Sequence, residues 1–179
     1  MPTLKLPAAN QSAQRPDDRR RLARIAARLG RDDISTGTIA SLRRGDPATV
    51  ARQAAFHRLL AEEQDVELDH DTILRWATAV HIIAIAGRER GDPKAGDGDV
   101  LARARYPESR LARLLASRDD GYRDQAVLCA RFLHSRNAPS SMLDLAELAL
   151  TEGRRESRAE RLRHRIARDY YRAADSLAH

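Results

Sequence analysis

Between Arg154 and Arg172 the chain places eight arginines in nineteen residues, with no lysine among them. On a helix turning about 100° per residue, Arg158, Arg161, Arg165, Arg168 and Arg172 fall within roughly 80° of one another. Ala159, Leu162, Ile166, Tyr170, Ala173 and Leu177 form a neighbouring apolar stripe. Guanidinium groups bind phosphate oxygens bidentately, so a row of them repeated every one to two helical turns suits a phosphate backbone. Such a row reads charge and spacing, not base identity. Only Asp169 lies close to the stripe; Glu156 and Glu160 lie well away. The i,i+4 ion pairs that commonly neutralise charged helix faces are therefore not expected here, and these arginines should be dispensable for folding. The first helix repeats the pattern, with Arg20, Arg21, Arg24 and Arg28 opposite Leu22, Ile25 and Leu29. Arg43 and Arg44 offer a second contact.

Other chemistries find no support in the residues. The sequence has no HExxH, no GxxxxGK[ST], no GxSxG and no paired CxxC, so it lacks the usual zinc, nucleotide and nucleophile signatures. The stretch EEQDVELDHD, residues 62–71, alternates carboxylates like the start of a calcium loop. Counting from Asp65, the sixth position is His70 rather than glycine and the twelfth is Trp76 rather than glutamate, so calcium is not expected. Asp69 or Asp71 instead suits the N-cap of the next helix, with docking onto a basic protein neighbour a secondary role for the stretch. His81 and Cys129 sit in apolar helical stretches and read as core residues. No catalytic residue, metal or cofactor is expected.

Composition agrees with a polyanionic partner. The 179 residues carry a formal charge of +6. Residues 1–45 hold ten basic and four acidic side chains, and residues 150–179 hold eight and five. The middle is mildly acidic, with fourteen against seventeen. Nucleic acid is the first candidate partner and an anionic membrane surface the second. The longest apolar run, Ile73 to Ala86, is too short to span a bilayer and contains Arg75 and His81, so no membrane partner is expected. One cysteine and an N-terminus without an apolar signal core imply a cytoplasmic protein.

The elements that must position these arginines are helices throughout, since no period-2 segment rich in β-branched residues occurs. Residues 1–15 are expected to be a disordered arm. Helices are expected near 17–29, 36–44, 47–63, 71–89, 99–105, 107–117, 119–136, 141–151 and 156–177. The helix over 71–89 is apolar nearly all round and should be central. GDPKAGDGD, residues 91–99, cannot hold a helix and divides an N-terminal lobe, 16–90, from a C-terminal lobe, 100–179. The expected fold class is all-α, two small helical bundle lobes joined by a Gly/Asp-rich loop.

Two resemblances follow. IAARLGRDDISTGTIASLRRG, residues 25–45, resembles a helix-turn-helix of a DNA-binding transcription regulator, though its turn is about three residues longer than that motif has. A longer pattern runs through ASLRRG followed by DP, AAFHRLLA, a buried helix carrying Trp76 and ending at AIAG, YPESRLARLLAS, QAVLCARFLHSRNAP, SSMLDLAELAL and RIARDYYRA. In order and spacing, over roughly residues 20–175, it resembles the CasB family, the small subunit of the type I-E CRISPR Cascade surveillance complex.

That resemblance implies a non-catalytic, all-helical subunit serving antiviral defence. It implies guide RNA and target and non-target DNA as ligands, with the Cascade backbone and large subunits and a second copy lying head to tail as protein partners. The subunit would stabilise the guide–target heteroduplex and the displaced strand. The candidate nucleic-acid-binding residues are Arg20, Arg24, Arg28, Arg43, Arg44, Arg110, Arg158, Arg161, Arg165, Arg168 and Arg172. With two Phe, four Tyr and one Trp, binding should be mainly electrostatic rather than by base stacking.

Overall fold

Local chemistry fixes several helix starts. Ser35 accepts from the Thr38 amide at 3.1 Å, Asp46 from Thr49 at 2.7 Å with Pro47 following, and Asp69 from Thr72 at 3.0 Å. Each oxygen satisfies an amide that the first helical turn leaves without a partner. The computed structural model describes residues 18–31, 34–63, 69–87 and 95–178. Among them it has ten helices and no strand: α1 Asp18–Leu29, α2 Thr36–Arg43, α3 Pro47–Val50, α4 Ala54–Ala61, α5 His70–Ala86, α6 Asp97–Arg103, α7 Glu108–Ala116, α8 Asp119–Ser135, α9 Leu143–Thr151 and α10 Glu156–Ala178. The fold is all-α. The N-terminal arm, residues 64–68 of the acidic stretch and residues 91–94 of the loop lie outside the described residues.

One expected helix is two. Over 47–63, α3 ends at Val50 and α4 begins at Ala54. Val50 and Phe56 are both fully buried, yet an unbroken helix would place them about 120° apart. The break at 51–53 turns both inward. It also frees Gln53, whose side-chain amide donates to the Ser41 carbonyl at 3.0 Å, near the end of α2.

Helix α5 is the centre. Its residues from Arg75 to Ala86 are all buried, and α1, α2, α3, α8 and α9 pack around it. One hydrophobic cluster runs from Leu22 and Leu42 through Ile82 to Leu133, Leu145 and Ile166, including helices on both sides of the Gly/Asp-rich loop. Each fully buried Leu or Ile there contributes roughly 1.5–3 kcal/mol. His81 is wholly buried with Nδ1 2.6 Å from the Leu42 carbonyl, and burial lowers its basicity. Burial likewise pushes the Cys129 thiol far up, so it stays protonated.

Two features seat α10. A Cβ on Gly98 of α6 would lie 2.1 Å from the Ile166 carbonyl oxygen, so only glycine lets the α6 and α10 backbones approach this closely. In addition, the N-cap of α9 is Met142, which has φ 53° and offers no capping side chain. Asp97 of α6 supplies the missing acceptor: the Leu145 amide donates to it at 2.9 Å and the Ser140 hydroxyl at 3.2 Å. Burial and the adjacent Asp144 charge push the Asp97 carboxyl up to about 7 in spite of these donors.

Candidate nucleic-acid interface

The arginine stripe of α10 is real in placement, with Ala159, Leu162, Ile166, Tyr170 and Ala173 buried beside it. Its five members do not share one environment. Arg161 is exposed and has no ion-pair partner among the described residues. Arg168 and Arg172 are 68% and 72% exposed, and both reach Asp169, at 3.0 and 3.7 Å. Arg158 and Arg165 are only 38% and 35% exposed. The first donates through Nε to Glu147 at 2.6 Å, and the second reaches Asp144 at 2.7 Å. Both carboxylates belong to α9 and are nearly fully buried. Arg19 of α1 closes the cluster, 2.6 Å from Asp144 and 3.0 Å from Glu147.

This corrects the expectation that the stripe plays no part in folding. Along α10 only Asp169 stands near the stripe, but Asp144 and Glu147 arrive from a neighbouring helix. Buried carboxylates need cationic partners, because an unpaired ion in the interior carries a large desolvation cost. A signal was present: in LDLAELAL, two acids three residues apart interrupt an otherwise apolar helix. Arg19 and these two carboxylates were not among the expected functional residues.

The stripe of α1 is neutralised more completely. Arg24 donates to Glu63 through Nε at 3.1 Å and through Nη2, and Arg28 pairs with Glu62. Arg21 is buried. Arg20 is exposed and also has a partner. Part of the acidic stretch is thus occupied within the molecule. Asp69 further receives Arg154 at 3.2 Å and, held by the Thr72 hydrogen bonds, titrates well below the usual carboxylate range.

Arg43 is half-buried and donates to the Ala84 carbonyl at 2.7 Å, in the last turn of α5. A guanidinium there satisfies a terminal acceptor and opposes the negative end of the helix dipole. Arg44 and Arg110 are exposed and unpaired among the described residues. Within residues 25–45, α2 packs on α5 and α4, with Ile39 and Leu42 buried. The Ser41 hydroxyl donates to the Thr38 carbonyl at 2.7 Å, so it is engaged by its own helix.

Arg158, Arg161, His164, Arg165 and Arg168, with Leu162, line an open depression along α10. Its floor is held by the salt-bridged pairs, and Arg161 and Arg168 face solvent. The arrangement can hold anionic oxygens in a row. Among the described residues no helix is long and apolar enough to cross a membrane.

The family model described as CRISPR-associated protein Cse2 matches residues 38–171. That span includes α3 through α9 entire, most of α2, and α10 up to Tyr171. No curated protein and no solved structure matches the chain.

Proposed function

The chain belongs to the Cse2 family, the small subunit of the type I-E CRISPR Cascade, and on that premise we propose that it is a non-catalytic subunit holding nucleic-acid phosphates on arginine-rich helix faces. The ligands are the guide RNA–target DNA heteroduplex and the displaced strand. The backbone and large subunits and a head-to-tail second copy are its protein partners in the cytoplasm. The observation carrying this reading is the exposed part of the α10 stripe. Arg161, Arg168 and Arg172 carry five donors each on one helix face, against the single, largely buried Asp169.

Energetics make so small an array sufficient. Exchanging a DNA duplex for an RNA–DNA heteroduplex is close to balanced, so a few added phosphate contacts tip it toward the open loop. Each contact also releases condensed counterions, which makes binding salt-dependent and indifferent to sequence.

The test is an Arg161→Ala, Arg168→Ala, Arg172→Ala variant. Its affinity for DNA of any sequence is expected to fall. The slope of log K against log salt is expected to shrink by roughly 0.7 to 0.9 for each lost contact. Unchanged affinity with an unchanged slope would make the stripe a solvated face and defeat the proposal.

A further inference from the structure

Arg161 is not alone, since further exposed arginines without an ion-pair partner among the described residues lie away from α10. Helix α6 ends in a tight motif in which the Arg105 amide donates to Ala102 O and the Tyr106 amide to Leu101 O, each at 2.9 Å. Arg105 stands at φ 56°, the left-handed position that helix ends usually give to glycine. Its side chain is exposed. Pro107, two residues later, is the N-cap position of α7 and offers no capping side chain, leaving first-turn amides and the positive end of the helix dipole beside the same turn. Arg110 and Arg113 project from the exposed face of α7, and the charges of both act on the Tyr106 hydroxyl. The Tyr106 ring meets Phe132 edge-on at 5.1 Å, and the exposed Arg136 lies 5.3 Å over the Phe132 ring. Arg136 thus lies over one ring of this aromatic pair, Arg105 directly precedes the other in the chain, and Arg110 and Arg113 leave the helix that follows it.

None of the four is ion-paired among the described residues. Glu108, the acid nearest in sequence, accepts instead from the Tyr171 hydroxyl at 2.9 Å. Of this group only Arg110 stood out in the sequence. Positions 105, 110, 113 and 136 have no common helical period, and a turn and the whole of α8 separate them.

We infer that Arg105, Arg110, Arg113 and Arg136 form a second phosphate-backbone contact surface, centred on the α6–α7 turn and additional to the α10 stripe. This deepens the proposed function and rests on it. Nucleic acid is favoured over an acidic protein because the surface combines unpaired guanidiniums with uncapped helix amides, both of which hold tetrahedral phosphate oxygens.

Full-length wild type, an Arg105→Gly, Arg110→Ala, Arg113→Ala variant and the α10 triple variant are titrated with a labelled 40-nucleotide single strand. The duplex of the same sequence is run in parallel, across a salt series. The α6–α7 variant is expected to lose roughly ten-fold or more in affinity on at least one probe, and roughly 0.7 to 0.9 of salt slope per arginine. Arg105→Gly alone should melt no lower than wild type while still binding less tightly, which separates contact from folding. If the α6–α7 variant binds as wild type does while the α10 variant is impaired, this inference is wrong and the proposed function stands. If wild type binds neither probe, both are wrong. Loss of binding to polyglutamate with nucleic-acid binding intact would assign the surface to an acidic protein and overturn the inference.

Discussion

Replacing Arg165 or Arg158 by alanine should destabilise the protein, whereas replacing Arg161, one turn away on the same stripe, should not. Asp144 has two guanidinium partners, Arg19 and Arg165, and Glu147 is held chiefly by Arg19 and Arg158. Removing one partner of a charged hydrogen bond costs about 1.5–3 kcal/mol. Arg158 and Arg165 retain more than a third of their exposure, and Arg19 stays in place, so about 1–2 kcal/mol is the appropriate range for each single variant. For a chain of this size that lowers the melting temperature by about 2–8 °C. The double variant leaves Arg19 alone to serve two buried carboxylates. Its loss should approach the roughly 3–5 kcal/mol of a broken buried pair and exceed the sum of the singles. Thermal melts followed at 222 nm, checked by urea titration, compare all four variants with wild type. Arg161→Ala should melt within about 1 °C of wild type. If Arg158→Ala, Arg165→Ala and Arg161→Ala melt together, the carboxylates of α9 do not depend on the stripe, and the division between structural and available arginines is wrong.

Gly98→Ala should destabilise by about 3 kcal/mol or more, because its methyl group would meet the α10 backbone at Ile166 rather than a movable side chain; a wild-type urea midpoint would contradict the close α6–α10 approach. Asp97 binds its proton more tightly in the fold than in the unfolded chain. Its contribution is therefore complete below the ordinary carboxylate range and is lost as pH rises through about 7. Asp97→Asn keeps one acceptor for α9 and cannot ionise, so its stability relative to wild type should improve between pH 5 and 8. A difference that stays constant over that range in denaturant titrations would show that Asp97 does not titrate there.

The local code was legible because its causes are local. Ser35 before α2, Asp46–Pro47 before α3 and an aspartate at 69 or 71 before α5 are cap signals that, with the 3.6-residue apolar period, mark the helices, most within about two residues of their observed ends; of the two aspartates, Asp69 is the cap. The apolar character of 71–89 marked α5 as central, since a helix without a polar face has to be covered on all sides. The split of 47–63 was not legible: no proline or glycine marks Arg52 and Gln53, and the break exists because Val50 and Phe56 must both reach one core. The trans cap of α9 by Asp97 joins residues 48 apart, and no local signal at Met142 names its partner.

Charge divides in the same way. The sequence by itself determined that the chain is helical, basic at both ends and striped with arginine, because composition and angular position on a helix depend on neighbours along the chain. Which arginines remain available was decided only by the tertiary structure. Arg19 meets Asp144 across 125 positions, Arg24 meets Glu63 across 39, and Arg136 lies over the Phe132 ring that meets Tyr106 from another part of the chain. The potential at a guanidinium is set by the charges within a few ångströms of it and by the solvent they exclude. Those distances are fixed by packing, and a helical wheel carries only the angle at which each arginine leaves its own helix.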